Sequence, residues 1–376
     1  MILVPKHVVL VEPNYYTQFP PLGLLKLSSY HKLKGDTTEL TRGVQVPEKK
    51  PDLIYVTSLF TWAWKSVWDA VAFCKRNYPG VEVWLGGLYA SLLPDHAKLS
   101  GADHVYVGLF SEAEDLMPDY DLVPKWDGSL IFSSRGCIQD CRFCAVPILE
   151  GKMNSIRHSI RQLIYPKHSR VIFWDNNILA SPGWKSIFAE LKEMGLRIDF
   201  NQGLDARLIT EEVAQEISQL KRVSLLRIAY DNQKNRQFVQ KSIERLVASG
   251  VKGRDILVYT LFNYEDTPED FYERTKDILE WGAVSYPMRF QPLDALEKNS
   301  YVGKYWNKKR LDMVQRARRV LGVRGAFPPY TGLVMKFRTA KGFDEAFVLR
   351  PPKKQIRTSD QHDLQSRNLI SYSISF

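Results

Sequence analysis

The sequence predicts an α/β protein with a doubly wound parallel sheet, six further strand–helix units and a basic C-terminal extension. Short β-branched or aromatic runs alternate with amphipathic helical stretches, at a spacing typical of parallel sheets. Positive charge is concentrated at the end of the chain. With 376 residues and 44% hydrophobic content, the chain is long enough for two domains with sizeable cores.

Residues 1–122 are predicted to form a Rossmann-like unit, called here the N-terminal segment. Its predicted strands cover residues 8–11, 53–57, 83–85 and 104–107, and its predicted helices cover 22–34, 64–76 and 92–99. Open α/β sheets bind ligands beyond the carboxyl ends of their strands. A ligand of this unit would therefore contact the loops at 14–18 and 86–91.

Residues 123–295, the central segment, follow a proline-containing linker at 117–124. The predicted strands of this segment cover 129–133, 170–174, 197–201, 224–229, 255–261 and 287–291. Helix start signals at Thr210 and Thr267 lie between them. Six such units form a partial (βα)6 TIM-type barrel, whose chemistry lies at the carboxyl ends of the strands.

Three of the four cysteines, Cys137, Cys141 and Cys144, lie directly after the first of these six strands. Three thiolates from one loop can hold three corners of a [4Fe–4S] cube and leave the fourth iron open. Structural zinc sites commonly use four ligands in two pairs, and no second pair lies nearby in the sequence. The spacing favours an iron–sulfur cluster over zinc.

This C-x-x-x-C-x-x-C spacing resembles the signature of the radical S-adenosylmethionine (radical SAM) superfamily, with Phe143 in the aromatic position before the last cysteine. The resemblance implies that the open iron chelates S-adenosylmethionine, and that an electron from the cluster breaks a sulfur–carbon bond to give a 5′-deoxyadenosyl radical. It also implies an electron donor such as a flavodoxin or ferredoxin. The implied function is a radical SAM enzyme whose substrate the sequence does not identify.

The resemblance further implies S-adenosylmethionine contacts at the ends of the second and third barrel strands. Asp175 and Asn176 follow the second strand, where family members commonly bind the amino group. Gln202, Asp205 and Arg207 follow the third, where an arginine can pair with the carboxylate and Gln or Asp can reach the ribose. Ordinary turn and capping chemistry is the alternative interpretation.

Glu265 follows the fifth strand, at the position of a Gly-rich, Glu-Thr-ending string in related enzymes. Phe262, Asn263 and Tyr264 replace the glycines of that string, so the role of this loop is an open question. Asp231, after the fourth strand, is expected to face the substrate side.

Short strings at 19–25 and 86–94 resemble the cobalamin-binding-type domain that precedes many radical SAM cores. The Asp-x-His-x-x-Gly string, whose histidine replaces the lower axial ligand of cobalamin, is absent. Two alternatives stay open: a cobalamin-dependent radical SAM methyltransferase, and a cobalamin-free enzyme in which the N-terminal segment is a scaffold. The missing histidine favours the second.

Residues 296–376, the C-terminal segment, carry 17 Lys and Arg against 6 Asp and Glu. Its basic residues on a predicted helix are Lys308, Lys309, Arg310, Arg316, Arg318 and Arg319. With Tyr301, Tyr305 and Trp306 close by, they suit RNA. A solvated basic helix followed by a disordered tail around 351–354 explains them as well. A non-catalytic nucleic-acid-binding protein with a structural metal is the alternative class.

The start of the chain lacks the long apolar stretch and small-residue cleavage site of a signal peptide. No apolar run approaches the ~20 residues of a membrane span. These observations predict a cytoplasmic protein with no membrane partner, in a compartment that keeps thiols reduced.

Overall fold

The computed structural model describes residues 4–15, 17–222, 225–322 and 330–349. Within these ranges the chain is an α/β protein, and all paired strands run parallel. No helix in the described ranges is both long and apolar enough to cross a membrane. The predicted start of a strand at Ser224 and the predicted tail at 351–354 lie outside the described residues.

The N-terminal segment contains one five-stranded sheet. Its strands are β1 (His7–Glu12), β2 (Thr37–Arg42), β3 (Leu53–Ser58), β4 (Glu82–Gly87) and β5 (His104–Val105). Their order in the sheet is β2-β1-β3-β4-β5, so the chain reverses its direction of winding between β1 and β3. Val9 pairs with Glu39 on one side and with Ile54 on the other.

Helices cover both faces of this sheet. They are α1 (Leu22–Leu33), α2 (Trp64–Asn77), α3 (Leu88–Leu92), α4 (Pro94–Lys98) and α5 (Ser111–Glu114). Strand side chains alternate between faces, so Val8 and Leu10 pack with Leu24 of α1, whereas Val9 packs with Val67 of α2. The two apolar cores agree with the Rossmann-like arrangement predicted from the sequence.

The central segment contains two three-stranded sheets whose strands follow one another in chain order. Their strands are β6 (Gly128–Ile131), β7 (Arg170–Phe173), β8 (Arg197–Phe200), β9 (Leu226–Ala229), β10 (Ile256–Phe262) and β11 (Val284–Arg289). The orders are β6-β7-β8 and β11-β10-β9. A parallel bridge between Leu204 and Ile228 links the end of β8 to β9.

Five helices connect these strands. They are α6 (Val146–Leu149), α7 (Trp184–Met194), α8 (Glu211–Gln219), α9 (Arg236–Ala248) and α10 (Pro268–Glu280). Thr210 caps α8 by accepting a hydrogen bond from Val213 N. Thr267 and Asp270 form a reciprocal capping box at α10, with Pro268 at its first position, as the sequence predicts.

The C-terminal segment packs two of its helices onto α10 and the third onto β11. They are α11 (Lys308–Leu321), α12 (Tyr330–Thr339) and α13 (Phe343–Ala346). Phe271 of α10 and Phe337 of α12 belong to the same buried cluster as Trp306. Trp306 Nε1 also donates to Asp266 O at 2.9 Å. The expectation that Trp306 serves an RNA-binding surface is therefore corrected, because this side chain is part of the core.

Four other expectations about elements are corrected. The sixth strand covers 284–289 rather than 287–291, and it contains Pro287. The helix predicted at 92–99 is α4, which begins only at Pro94 because proline cannot lie inside a longer helix. A separate helix, α3, covers Leu88–Leu92, where a loop was predicted at 86–91. Strand β2, at the edge of the first sheet, was not predicted because its sequence is largely polar.

Contacts join the N-terminal and central segments at several places. Leu22 of α1 packs with Leu130 and Ile172 of the central strands. Thr61, in the loop after β3, donates to Ala295 O at 2.7 Å. Helix α3, which follows β4, also contacts α6 beyond the cysteines. Loops at the carboxyl ends of the first sheet therefore lie against the loops that carry the candidate site.

Candidate functional site

The loop that carries the three cysteines starts with a turn that only glycine fits. Gly136 has φ +70°, and a Cβ at this position would lie 2.2 Å from Lys152 O. On either side of this turn, Arg135 and Asn154 form an antiparallel bridge with N···O distances of 3.0 and 2.9 Å. We call residues 133–154 the cysteine loop. This bridge joins the two ends of the loop, so the cysteines lie in a loop that is closed at its base.

Asp175, directly beyond β7, holds the start of this loop. Its carboxylate accepts hydrogen bonds from Ser133 N at 2.9 Å, Ser133 Oγ at 2.5 Å, Ser134 N at 2.7 Å and Ser134 Oγ at 2.9 Å. Asp175 is 2% exposed. Burial raises the pKa of this carboxyl, and the hydrogen bonds from both serines oppose the rise. These contacts make Asp175 a positioning residue for the loop; its predicted contact with S-adenosylmethionine stays a prediction.

Glu150, at the end of α6, holds the next residues of the loop. Its carboxylate accepts from Gly136 N at 2.9 Å and from Asn176 Nδ2 at 2.9 Å. Arg135 Nη1 lies 3.4 Å from the other carboxylate oxygen of Glu150. Asn176 thus connects the end of β7 to the cysteine loop, and its predicted role at the cofactor stays a prediction.

A hydrogen-bond network surrounds the first cysteine and includes two of the predicted site residues. Asn177 Nδ2 donates to Cys137 Sγ at 3.8 Å and to Asp205 Oδ2 at 3.1 Å. Arg207 forms a bidentate pair with Asp205, at 2.7 and 2.8 Å, and donates to Gln139 Oε1 at 3.1 Å. Gln139 N in turn donates to Cys137 Sγ at 3.4 Å. We call these five residues the Cys137 network.

The remaining predicted residues lie at the rim of this region. Phe143 packs edge-to-face on Tyr264, with ring centroids 5.6 Å apart. Glu265 follows Tyr264 and is exposed. Gln202 is also exposed, beyond the end of β8. The structure therefore brings Phe143 to the fifth-strand loop, whereas Gln202 lies outside the Cys137 network.

Two of the three thiols are held in surroundings that disfavour their charged form. Burial raises the pKa of Cys141 to about 11, and the neighbouring Cys144 and Asp231 raise it further. Burial likewise raises the pKa of Cys144. Because the thiolate is the metal ligand, binding a metal here must release protons from these thiols.

Asp231, expected on the substrate side, follows β9 and lies near the cysteines. Burial raises the pKa of its carboxyl to about 6, while Arg274 opposes the rise. Arg274 is 1% exposed and donates to Tyr230 O at 2.8 Å and Leu261 O at 2.9 Å. It also pairs with Asp266 at 2.6 Å. Arg274 thereby connects the ends of β9 and β10 next to Asp231.

Sequence analysis did not select Asn177 or Arg274 as site residues. Asn177 is adjacent to the selected Asn176, and no local pattern distinguishes the two amides. Arg274 lies in the middle of α10, where an arginine usually faces solvent. The contacts of both residues appear only in the folded structure, where strand ends that are distant in the chain lie close together.

Two features of the site bear on whether an iron–sulfur cluster fits: the side chains that could ligate metal, and one buried oxygen atom. In the described ranges, no three or more His, Cys, Asp or Glu side chains converge as the ligands of a single metal ion would. A four-iron cube is larger than one ion and holds its three thiolates further apart, so this finding does not conflict with a cluster. Asn177 Oδ1 is buried beside Cys137 without a hydrogen-bond partner, which suits a bound group with a donor. The residues present fit the cluster and its ligand.

No protein-family model matches this chain, and no curated protein is significantly similar to it. Function is therefore inferred from the cysteine loop, the residues that hold it, and the strands that carry them.

Proposed function

We propose that the protein is a radical SAM enzyme in which Cys137, Cys141 and Cys144 hold a [4Fe–4S] cluster. The observation that carries the proposal is the position of the three cysteines, on one buttressed loop directly after a parallel strand. In such enzymes the cluster and S-adenosylmethionine together supply a 5′-deoxyadenosyl radical, and the protein orients and shields the reactants.

The strand arrangement of the central segment supports this proposal. Six parallel strands follow in chain order, with a bridge between the two sheets at Leu204 and Ile228. We infer a partial (βα)6 barrel over 123–295, with the cysteine loop at the carboxyl end of its first strand. The strand order of the N-terminal segment, with helices on both faces, supports a doubly wound Rossmann-like domain over 1–122.

This chain's own residues would bind and orient S-adenosylmethionine at the ends of the strands. Asn177 Oδ1 is a buried acceptor for the amino group. Asp205 holds the Arg207 guanidinium in a fixed plane, and a second N–H on each Nη atom suits the carboxylate. Asp175 and Glu150 keep the loop in position, so little ordering is required when the ligand binds.

We favour a cobalamin-free reaction that draws its electron from a flavodoxin or ferredoxin. Gly87 belongs to one of the strings that resemble a cobalamin-binding domain, and it has φ +100°. A Cβ at this position would lie 2.2 Å from Ser58 O, so packing inside the protein explains the glycine. A cobalamin-dependent methyltransferase is the alternative, and stoichiometric corrinoid retained by protein purified with cobalamin would favour it.

Anaerobic reconstitution tests the proposed function. The wild type should bind about four irons per chain and convert S-adenosylmethionine to 5′-deoxyadenosine under a strong reductant. Alanine at Cys137, Cys141 or Cys144 should abolish both properties. Cys74→Ala is the matched control, because Cys74 is buried in α2 and should not affect iron content. A colourless wild type that holds one zinc and leaves S-adenosylmethionine intact would instead indicate the non-catalytic class.

The outer face of α11 supports RNA as a partner. Lys308, Lys309 and Arg319 are exposed on this helix. Arg310 is instead paired with Asp344, at 2.7 Å. Arg318 is also exposed, but it donates to Tyr286 Oη and lies over the Tyr286 ring. Cations on the surface of one helix suit a phosphate backbone. We propose that Lys308, Lys309 and Arg319, rather than the whole basic stretch, contact the polyanion.

A further inference from the structure

We propose that Asn177 is a positioning residue that raises the reduction potential of the cluster through a hydrogen bond to Cys137. This inference rests on the proposed function, because it requires a cluster on the three cysteines. It concerns the amide nitrogen of Asn177, whereas the binding of S-adenosylmethionine would use the amide oxygen.

Cys137 Sγ accepts from two N–H donors in the absence of any metal. Asn177 Nδ2 lies 3.8 Å away and Gln139 N lies 3.4 Å away. Asn177 is 3% exposed, so its amide cannot exchange this contact for one with bulk water. Sulfur hydrogen bonds are longer than those to oxygen, and both contacts lie within their range.

The charges around Asn177 fix which end of its amide faces the sulfur. Its nitrogen lies 3.1 Å from Asp205 Oδ2, and the same nitrogen faces Cys137. A flipped amide would place its carbonyl oxygen against the Asp205 carboxylate, which accepts hydrogen bonds and has none to donate. The donor therefore faces Cys137, and the oxygen is left without a protein partner.

Asp205 is itself held, so the amide has a rigid anchor. Arg207 binds Asp205 through Nε and Nη2, and Gln139 Nε2 lies 3.4 Å from Asp205 Oδ2. The ends of β7 and β8 and the cysteine loop thus meet in one closed ring of hydrogen bonds. The nitrogen of Asn177 cannot leave Cys137 without breaking its bond to Asp205.

A donor directed at a cluster-bound sulfur changes the balance between the two oxidation states. Reduction adds negative charge that is shared by the ligating sulfurs, and a nearby N–H stabilises that charge. Loss of the donor should therefore make reduction harder and move the midpoint potential to a more negative value.

Redox titration of the reconstituted protein, followed by electron paramagnetic resonance, tests the inference. Asn177→Leu removes the donor with little change in size, and Asn177→Ala removes it without added bulk. Both should keep the wild-type iron content and have a more negative midpoint potential. Asn77→Leu is the control, because Asn77 lies in α2, where its side chain donates to Phe73 O, away from the cysteine loop. Its potential should equal that of the wild type.

Each outcome bears on a distinct claim. A wild type that assembles no four-iron cluster would overturn the proposed function. A loaded wild type with unshifted Leu and Ala variants would overturn only the role of Asn177. Loss of the cluster from both variants, with Asn77→Leu fully loaded, would also overturn it, because Asn177 would then build the loop rather than set the potential.

Discussion

Three carboxylates hold successive parts of the cysteine loop. Asp175 accepts from Ser133 and Ser134, Glu150 accepts from Gly136, and Asp205 binds Gln139. None of the three lies between the cysteines themselves. The stretch from Cys137 to Cys144 is therefore held by acceptors that lie outside that stretch, and its thiols are left for a ligand.

Replacing Asp175 by Asn should destabilise the protein and lower its iron content. The carboxylate accepts four hydrogen bonds, two of them from backbone N–H groups. An amide would present its own N–H groups to these donors, so buried donors would lose their acceptor, at a cost of about 3 kcal/mol. Urea unfolding and iron analysis after reconstitution measure the two effects.

Asp121→Asn is the matched control for this change, because Asp121 makes its hydrogen bond to Tyr165 at the surface. It should leave both measurements unaltered. Full iron loading and unchanged stability of Asp175→Asn would contradict the structural role assigned here.

At the residue scale, the sequence pointed to candidate residues but not to their contacts. The cysteine spacing and the polar strand ends were visible because they are local in the chain. The bond from Asn177 to Cys137 joins residues forty positions apart. Arg207 was selected as a partner for a ligand carboxylate, whereas the structure pairs it with its near neighbour Asp205. Local sequence cannot distinguish these partners.

At the scale of elements, the sequence predicted each described strand except β2 and displaced β11. β2 reads Thr-Thr-Glu-Leu-Thr-Arg and pairs only with β1, so it lacks the apolar run of a central strand. The sequence predicted β11 to begin at Pro287, whereas the strand begins at Val284. Proline is tolerated within β11 because this strand pairs only with β10 in its sheet.

Neutralising the exposed face of α11 should weaken RNA binding and make the remaining binding less dependent on salt. Changing Lys308, Lys309 and Arg319 together to Ala should lower the slope of log affinity against log salt by up to about two, since each phosphate contact on a single strand contributes roughly 0.7 to the slope. Fluorescence anisotropy with a labelled single-stranded RNA across a potassium chloride series measures the slope.

A triple alanine variant at Lys49, Lys50 and Lys65 controls for net charge, because these exposed lysines lie in the N-terminal segment. It should keep the wild-type slope. An equal loss of slope in both triple variants, or affinity that does not depend on salt, would indicate that the basic face of α11 is a solvated surface and not an RNA-binding site.

At the scale of the whole molecule, the N-terminal segment contributes directly to the setting of the cysteine loop. Glu114 of α5 pairs with Arg135 at 2.6 Å and with Lys26 at 3.2 Å. The guanidinium of Arg135 also stacks on Phe132, 3.3 Å from its ring centroid. A buried ion pair thus connects the first sheet to the residue next to Gly136.

Glu114→Ala should lower the free energy of unfolding by about 3 kcal/mol, because it leaves the buried Arg135 with only its longer contact to Glu150. Urea unfolding measures the change. Asp95→Ala is the control, since its pair with Lys98 is exposed and should contribute nothing measurable. Equal stability of the two variants would show that this ion pair does not help to hold the segments together.

The position of Glu114 in the chain also bears on how the loop is built during synthesis. A growing chain leaves the ribosome from its N-terminus, and early domains can fold first. Glu114 emerges before Arg135, whereas Asp175 and Asp205 emerge after the last cysteine. Glu114 is thus available to bind Arg135 before Asp175 and Asp205, which hold other parts of the loop, have been synthesised. During that interval the three cysteines lack the contacts from Asp175 and Asp205 that hold the loop in the folded protein.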